Sequence, residues 1–104
     1  MRYFFTLLLC VLALPTFAQG NPEQGKIKSP SCVFCHGKNG HAVDAQYPNL
    51  AGQNAEYLYR AMKAYQQGQR ESQFAKMMQT QLSKLSDQDL KDVAAFYANQ
   101  SASD

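Results

Sequence analysis

The sequence predicts a small all-α domain that follows an apolar leader. Three observations support this fold class. A strongly apolar stretch is confined to the first 18 residues, apolar residues further along recur at helical spacing, and no segment shows the alternation of a half-buried strand. The 104 residues suffice for one domain but not for two. The chain left after the leader is close to the length of about 70–80 residues below which packing alone rarely stabilises a fold.

Residues 1–18 have the parts of a cleavable signal peptide. Arg2 gives the positive start, an apolar run follows, and Pro15 breaks that run. Small residues stand one and three positions before Gln19, so we expect cleavage there, which leaves a domain over residues 19–104. The run is shorter than the roughly 20 residues that a transmembrane helix needs. We therefore expect export to the periplasm with no stable membrane insertion after cleavage.

The net charge is close to neutral. The full chain carries a formal charge of +2, and loss of Arg2 with the leader leaves nine basic and eight acidic residues, a balance of +1. Nucleic-acid binding depends on neutralising many phosphates with basic side chains. We therefore expect no nucleic-acid partner.

The first half of the domain has one clear helix start and one long loop. Asn21 is a good N-cap, and Pro22 suits the first helical position that follows it. Pro30 limits this helix to about two turns. The stretch 37–52 is rich in Gly, Asn and Pro, which predicts a loop.

The second half carries the better helix signals. Apolar residues at helical spacing predict a helix over about 54–67, followed by an irregular polar stretch over 69–77. A short helical stretch is predicted over 78–85. Ser86, with Asp89 three residues later, has the spacing of a capping box and begins the last helix.

The chemistry of the chain lies in the run Cys32-Val33-Phe34-Cys35-His36. A C-x-x-C-H run is the attachment signature of c-type haem, since two thiols at this spacing can each bond one vinyl group while the next residue offers an imidazole to the iron. Three alternatives use the same cysteines. A thioredoxin-type redox pair expects a βαβ context, a zinc site needs four ligands, and a structural disulfide is permitted outside the cytosol. The all-helical pattern and the adjacent histidine favour haem.

A second axial ligand must come from elsewhere in the chain. The candidates are Met62, Met77, Met78 and His41. His41 is close to His36 in sequence and is expected in the loop, and Met62 lies on the apolar stripe of its helix, where a core role is the default. Met78 shares an apolar helical face with Leu82 and Leu85, whereas Met77 falls on a polar face. We therefore choose Met78, with Met77 as the second choice.

The ordered set of motifs resembles the class I cytochromes c. It is most similar to the haem domain that occurs in tandem in the periplasmic dihaem cytochromes c4 and singly in small monohaem relatives. The matching stretches are CVFCHGKNG, YPNLAGQNAEYL, the GQR at 68–70 and MQTQLSKLSDQDLKDVAAFYANQ, which together cover most of residues 32–100. The resemblance implies a small class I cytochrome c fold, with about four short helices around one covalently bound haem c.

The resemblance also implies roles for individual residues. Its proximal and distal iron ligands fall on His36 and Met78. Its haem-packing residue falls on Leu50, and the aromatic residue where its terminal helices cross falls on Phe96. The remaining matches are the thioether cysteines Cys32 and Cys35, and Pro48, whose carbonyl would accept the Nδ1 hydrogen of the proximal histidine. The chain has no Trp, so Arg70 is our candidate for a propionate contact.

The expected function is one-electron transfer, not catalysis on a substrate. Two saturating axial ligands leave no open iron position, which predicts a soluble periplasmic carrier that meets an oxidase, a reductase or a periplasmic dehydrogenase transiently. Two alternatives stay open: a haem subunit of a larger oxidoreductase, for example a flavocytochrome sulfide dehydrogenase, or a ligand-binding haem protein whose Met ligand is labile. We also expect Lys28, Lys38 and Lys76 to surround the contact with an acidic partner.

Overall fold

The domain consists of five helices joined by loops. The structure is a computed structural model that describes residues 3, 8–10 and 20–103, and no strand occurs among them. The helices are α1 (Pro22–Lys28), α2 (Pro30–His36), α3 (Ala55–Gln66), α4 (Ala75–Leu82) and α5 (Asp87–Ala98). The predicted all-α class is confirmed. The predicted signal peptide over residues 1–18 and the cleavage before Gln19 lie, apart from residues 3 and 8–10, outside the described residues.

The helix ends follow local sequence signals. The Asn21 side chain accepts hydrogen bonds from the first turn of α1, with Pro22 at the first helical position. Ser86 and Asp89 form the predicted capping box at the start of α5, each side chain bonded to the backbone N–H of the other. The loop over 37–52 and the bounds of α3 also agree with the prediction, since α3 runs within one residue of 54–67.

Two features differ from the sequence prediction. The count of about four helices is one too low, because Pro30 not only ends α1 but also begins α2 as its first residue. The helix predicted over 78–85 instead occupies Ala75–Leu82. Ala75 is 6% exposed, so burial against the rest of the domain stabilises a first turn that the polar sequence around it does not favour.

The core lies where α5 packs against α1 and α3. Its buried residues are Leu58, Val93, Ala94, Phe96 and Tyr97, with Leu50 and Met62 packed against them. The crossing of α1 and α5 is close, because Gly25 has no side chain. A Cβ there would overlap the Asp92 carbonyl and lie 2.8 Å from the Phe96 Cβ. Phe96 therefore lies at the crossing of the terminal helices.

The helices in the described part of the chain are short. None of them is long and apolar enough to cross a membrane.

Candidate functional site

One large cavity opens between α2, the loop that follows it, α3 and α4. Its volume of about 760 Å³ falls within the range of roughly 300–1,000 Å³ that cofactor sites occupy. Most of its lining is apolar, and the buried face of α5 forms its floor through Val93, Ala94 and Tyr97. The cavity therefore occupies volume that apolar side chains would otherwise fill in the core of a domain of this length.

The wall formed by α2 carries two thiols and an imidazole. Cys32 and Cys35 are three residues apart in the helix, so they lie on one face, and both line the cavity as half-buried free thiols. Burial raises the pKa of the Cys32 thiol. The helix ends directly after His36 because Gly37 adopts a φ of 81°, a left-handed conformation that costs glycine little.

The His36 ring is fixed by the loop that follows α2. It is 7% exposed, and its Nδ1 lies 2.9 Å from the carbonyl oxygen of Pro48. A carbonyl oxygen only accepts hydrogen bonds, so Nδ1 carries the hydrogen, and in the neutral tautomer with this pattern the lone pair is on Nε2. The Tyr47 ring meets the His36 ring edge-on, with centroids 6.4 Å apart. The imidazole is thus held in the tautomer and orientation that suit a metal ligand.

Thioether sulfurs from two other helices also line the cavity. Met62 on α3 and both Met77 and Met78 on α4 line the same cavity as His36. Met77 is 39% exposed, whereas Met78 is half-buried and stands one turn before Leu82, which is 2% exposed. Position alone leaves both α4 methionines as candidates for the second axial ligand, and burial favours Met78.

The other predicted residues divide into those at the cavity and those away from it. Leu50 and Arg70 line it, and the Arg70 guanidinium lies 4.7 Å from the centroid of the Tyr65 ring. His41 is not among the lining residues, and its Nε2 is 2.8 Å from the carbonyl oxygen of Ser101. Its imidazole therefore contacts the C-terminal segment, away from the cavity.

The three lysines expected around a partner contact differ in their surroundings. Lys28 forms ion pairs with Asp89 at 2.7 Å and with Asp92 at 2.6 Å, so it joins α1 to α5, and its place at a partner contact stays a prediction. Lys38 and Lys76 are exposed but do not line the cavity. Arg70 is the residue with a permanent charge among the described lining residues.

Sequence reasoning missed two aromatic contributions to this site. The Tyr97 hydroxyl is buried beside the side chains of Ser29 and Cys32, and it has no well-formed hydrogen bond to any described residue. Burial raises the pKa of Tyr97. Phe74 packs on Tyr47 with ring centroids 5.5 Å apart, which joins the loop after α2 to the start of α4. Spacing along the chain gives no signal for either contact.

The residues around the cavity fit a c-type haem. They offer an apolar lining of suitable volume, two thiols on one helix face, an oriented imidazole and thioethers from α3 and α4. No group of three or more His, Cys, Asp or Glu side chains that could hold a metal ion occurs within the described ranges.

A comparison with protein families agrees with this arrangement. The family described as Cytochrome c matches residues 24–101. The chain belongs to the cytochrome c family. Its cofactor is therefore haem c, bound covalently, and this cytochrome is an electron-transfer protein rather than an enzyme.

Individual relatives refine the comparison. Cytochrome c-554(548) of Halomonas halodenitrificans is 43% identical over 81 residues, which cover 78% of this chain and 98% of that protein. A thiosulfate dehydrogenase electron acceptor of Stutzerimonas stutzeri is 40% identical over 70 residues, 67% of this chain and 32% of that one. The crystal structure of reduced cytochrome c4 from Pseudomonas stutzeri superposes with a TM-score of 0.70 at 33% identity, covering 79% of this cytochrome and 46% of cytochrome c4. The resemblance to half of a cytochrome c4 is confirmed.

Proposed function

We propose that this cytochrome is a periplasmic carrier of single electrons, with haem c attached through Cys32 and Cys35 and ligated by His36 and Met78. The observation that carries the proposal is that the two thiols and the imidazole of α2 line the same cavity as the Met78 thioether of α4. Haem c supplies an iron that alternates between its ferrous and ferric states.

The α2 wall would hold the cofactor in place. Cys32 and Cys35 share one helix face, so both can form thioether bonds to one planar ring. His36 would present Nε2 to the iron, because Nδ1 donates to the Pro48 carbonyl. That hydrogen bond increases the basicity of the imidazole, which strengthens it as a ligand.

The α4 wall would complete the ligation. Met78 brings a thioether from a half-buried position, and a thioether opposite histidine raises the reduction potential. The apolar lining would exclude water from the bound haem, and the packed walls would hold both ligand side chains in place. Little rearrangement is then needed when an electron arrives or leaves.

The attachment is tested by the mass of the mature protein. Expressed with its leader and a working haem-maturation system, the protein should have the mass of residues 19–104 plus one haem. Cys32→Ser and Cys35→Ser should each leave one thioether bond, and the double variant should lose haem on acid–organic extraction. A mass without haem, or a Cys32–Cys35 disulfide in matured material, would contradict the proposal.

The same experiment examines localisation. Cleavage before Gln19 and recovery of the haem protein in the periplasmic fraction are expected. Haem protein that stays with the membrane fraction after a high-salt wash would point to a retained leader.

A second candidate function is that of a fixed subunit in a larger oxidoreductase. The likeness to a protein named as the electron acceptor of thiosulfate dehydrogenase favours it, although this chain matches only 32% of that protein. The haem chemistry would be the same, but the partner would be permanent. Purification from the native source distinguishes the two, since a free carrier elutes alone and a subunit co-elutes with its dehydrogenase.

A free carrier would meet its redox partner briefly. Arg70 is the residue with a permanent charge in the described cavity lining, and the Lys28 ammonium forms an ion pair with Asp92 of α5. Rim charges act mainly on the association rate, and few fixed charges border the cavity, so we expect the second-order electron-transfer rate to change little with ionic strength. A steep fall in that rate with added salt, abolished by Lys38→Glu or Lys76→Glu, would restore the lysine contact.

A further inference from the structure

The last residue of α3 is bonded to the far end of α4. The Gln66 side-chain amide donates from Nε2 to the carbonyl oxygen of Leu82, at 2.9 Å, and to that of Leu85, at 2.8 Å. These carbonyls belong to the end of α4 and the turn after it, where a helix leaves its backbone acceptors without intrahelical partners. The Leu82 carbonyl also accepts from Leu85 N, at 3.1 Å. One amide group therefore uses both of its hydrogens to close this end of α4.

Few local features of α4 itself would hold it in place. It has eight residues, no side-chain cap at Phe74, no acid in its first turn and no base in its last turn. Helices this short are marginal without tertiary contacts. Within the described residues, α4 packs mainly against α3, the helix that carries Gln66.

The bonded end of α4 is one turn from Met78. Leu82 follows Met78 by four residues, so the two side chains lie on the same helix face. Gln66 itself is half-buried and does not line the cavity. It can therefore act on the cavity only through the helix that it holds.

We infer that Gln66 is a positioning residue that holds the Met78 sulfur over the iron by closing the end of α4. This inference rests on the proposed ligation by Met78. Loss of the amide donors would free the end of α4 and raise the population in which Met78 has left the iron. An added ligand binds only that population, so its apparent affinity rises in proportion to it.

The test uses the ferric holoprotein titrated with imidazole. Gln66→Leu keeps the side-chain volume and removes both donors, and Gln66→Glu keeps the shape but donates nothing when ionised at neutral pH. Each should raise the apparent affinity for imidazole about tenfold, the size expected for one or two lost hydrogen bonds. Gln67→Leu is the matched control, since the neighbouring Gln67 is exposed and joins this region through its backbone.

A second readout separates this inference from the proposed function. The ferrous wild-type protein should show the strongly shifted methyl signal of a bound methionine, and this signal should vanish in Met78→Ala. Its absence from the wild type, or its persistence in Met78→Ala, would overturn the proposed ligation and this inference with it. A normal methionine signal together with wild-type imidazole affinity in both Gln66 variants would overturn the positioning role alone. Lower melting temperatures with unchanged imidazole affinity would likewise reduce Gln66 to a structural residue.

Discussion

The Lys28 ammonium lies 2.6 Å from the carboxylate of Asp92 and joins the first helix of the domain to the last. Asp92 is 3% exposed and also accepts hydrogen bonds from Asn21 N, at 2.8 Å, and from Gln88 Nε2, at 2.9 Å. Burial alone would raise the pKa of this carboxyl, but the hydrogen bonds outweigh burial and lower the pKa to about 2.

The lowered pKa of Asp92 predicts a loss of stability in acid. Because the folded-state pKa lies below the ordinary value of about 3.9, the stabilisation is complete well above pH 4 and is lost as pH falls toward about 2. Asp92→Asn should lower the free energy of unfolding at neutral pH by about 1–3 kcal/mol, and the difference from wild type should shrink below about pH 4. Urea titrations of the holoprotein across this range measure the effect.

The control for Asp92 is an exposed acid. Glu71→Gln should leave the pH dependence of unfolding unchanged, because Glu71 is exposed and outside the α1–α5 contact. Stability curves of wild type and Asp92→Asn that stay parallel from neutral pH down to about pH 2 would contradict the assignment of this carboxylate.

The two methionines of α4 should differ sharply as iron ligands. Met78→Ala should give a high-spin or solvent-ligated iron and a lower reduction potential, because the thioether that favours the ferrous state is gone. Met77→Ala should change the potential little, since Met77 is 39% exposed. Optical redox titration of both variants measures this, and the opposite pattern would assign the ligand to Met77.

Gly40 should not tolerate a side chain. It has a φ of 82°, a Cβ would lie 2.7 Å from Ala51 N and 2.9 Å from a ring carbon of Tyr97, and its carbonyl accepts from Leu50 N at 2.8 Å. Gly40→Ala should destabilise the holoprotein by at least about 1–3 kcal/mol, the usual cost of such a backbone strain, with the clash in addition. Thermal melting measures the loss.

Gly68→Ala provides a matched comparison for Gly40. Gly68 has a φ of 71°, so the backbone strain is similar, but a Cβ there meets only the flexible side-chain amide of Gln79, at 3.1 Å. The loss at position 68 should be the smaller of the two. Equal losses of stability in the two variants would show that the clash with Ala51 and Tyr97 adds nothing to the cost of the strained backbone.

Arg70 should raise the reduction potential. A fixed positive charge beside the cavity disfavours the more positive ferric state, so Arg70→Gln should lower the potential by roughly 10–40 mV, the range for an exposed charge. Lys84→Gln is the control, because Lys84 is exposed and does not line the cavity. The same potential in both variants would remove Arg70 from the cofactor environment.

Features with local sequence signals were predictable. The N-cap at Asn21, the capping box at Ser86 and Asp89 and the bounds of α3 depend on residues within one or two turns of each other. The cysteine and histidine residues of the cavity wall were equally accessible, because the thiols and the imidazole occupy five consecutive positions.

Features that depend on tertiary contacts were not predictable in this way. The first turn of α4 is stabilised by burial of Ala75 and by the contact of Phe74 with Tyr47, a residue 27 positions earlier. Lys28 resembles any exposed lysine in sequence, and only the crossing of α1 with α5 brings Asp89 and Asp92 to it. A pattern within a single helix contains no information about such partners.

The crossing of α1 and α5 joins residues from opposite ends of the chain, and this affects the order of events during biosynthesis. The Asn21–Asp92 bond spans 71 positions, and α5 also supplies Val93, Ala94 and Tyr97 to the floor of the cavity. At about 5–20 residues per second, a ribosome needs roughly 3–11 s to proceed from the codon of Cys35 to that of Asp92. Until then the residues that form the floor of the cavity have not been synthesised, so both thiols remain exposed. The domain can complete its fold only after its last helix has been made.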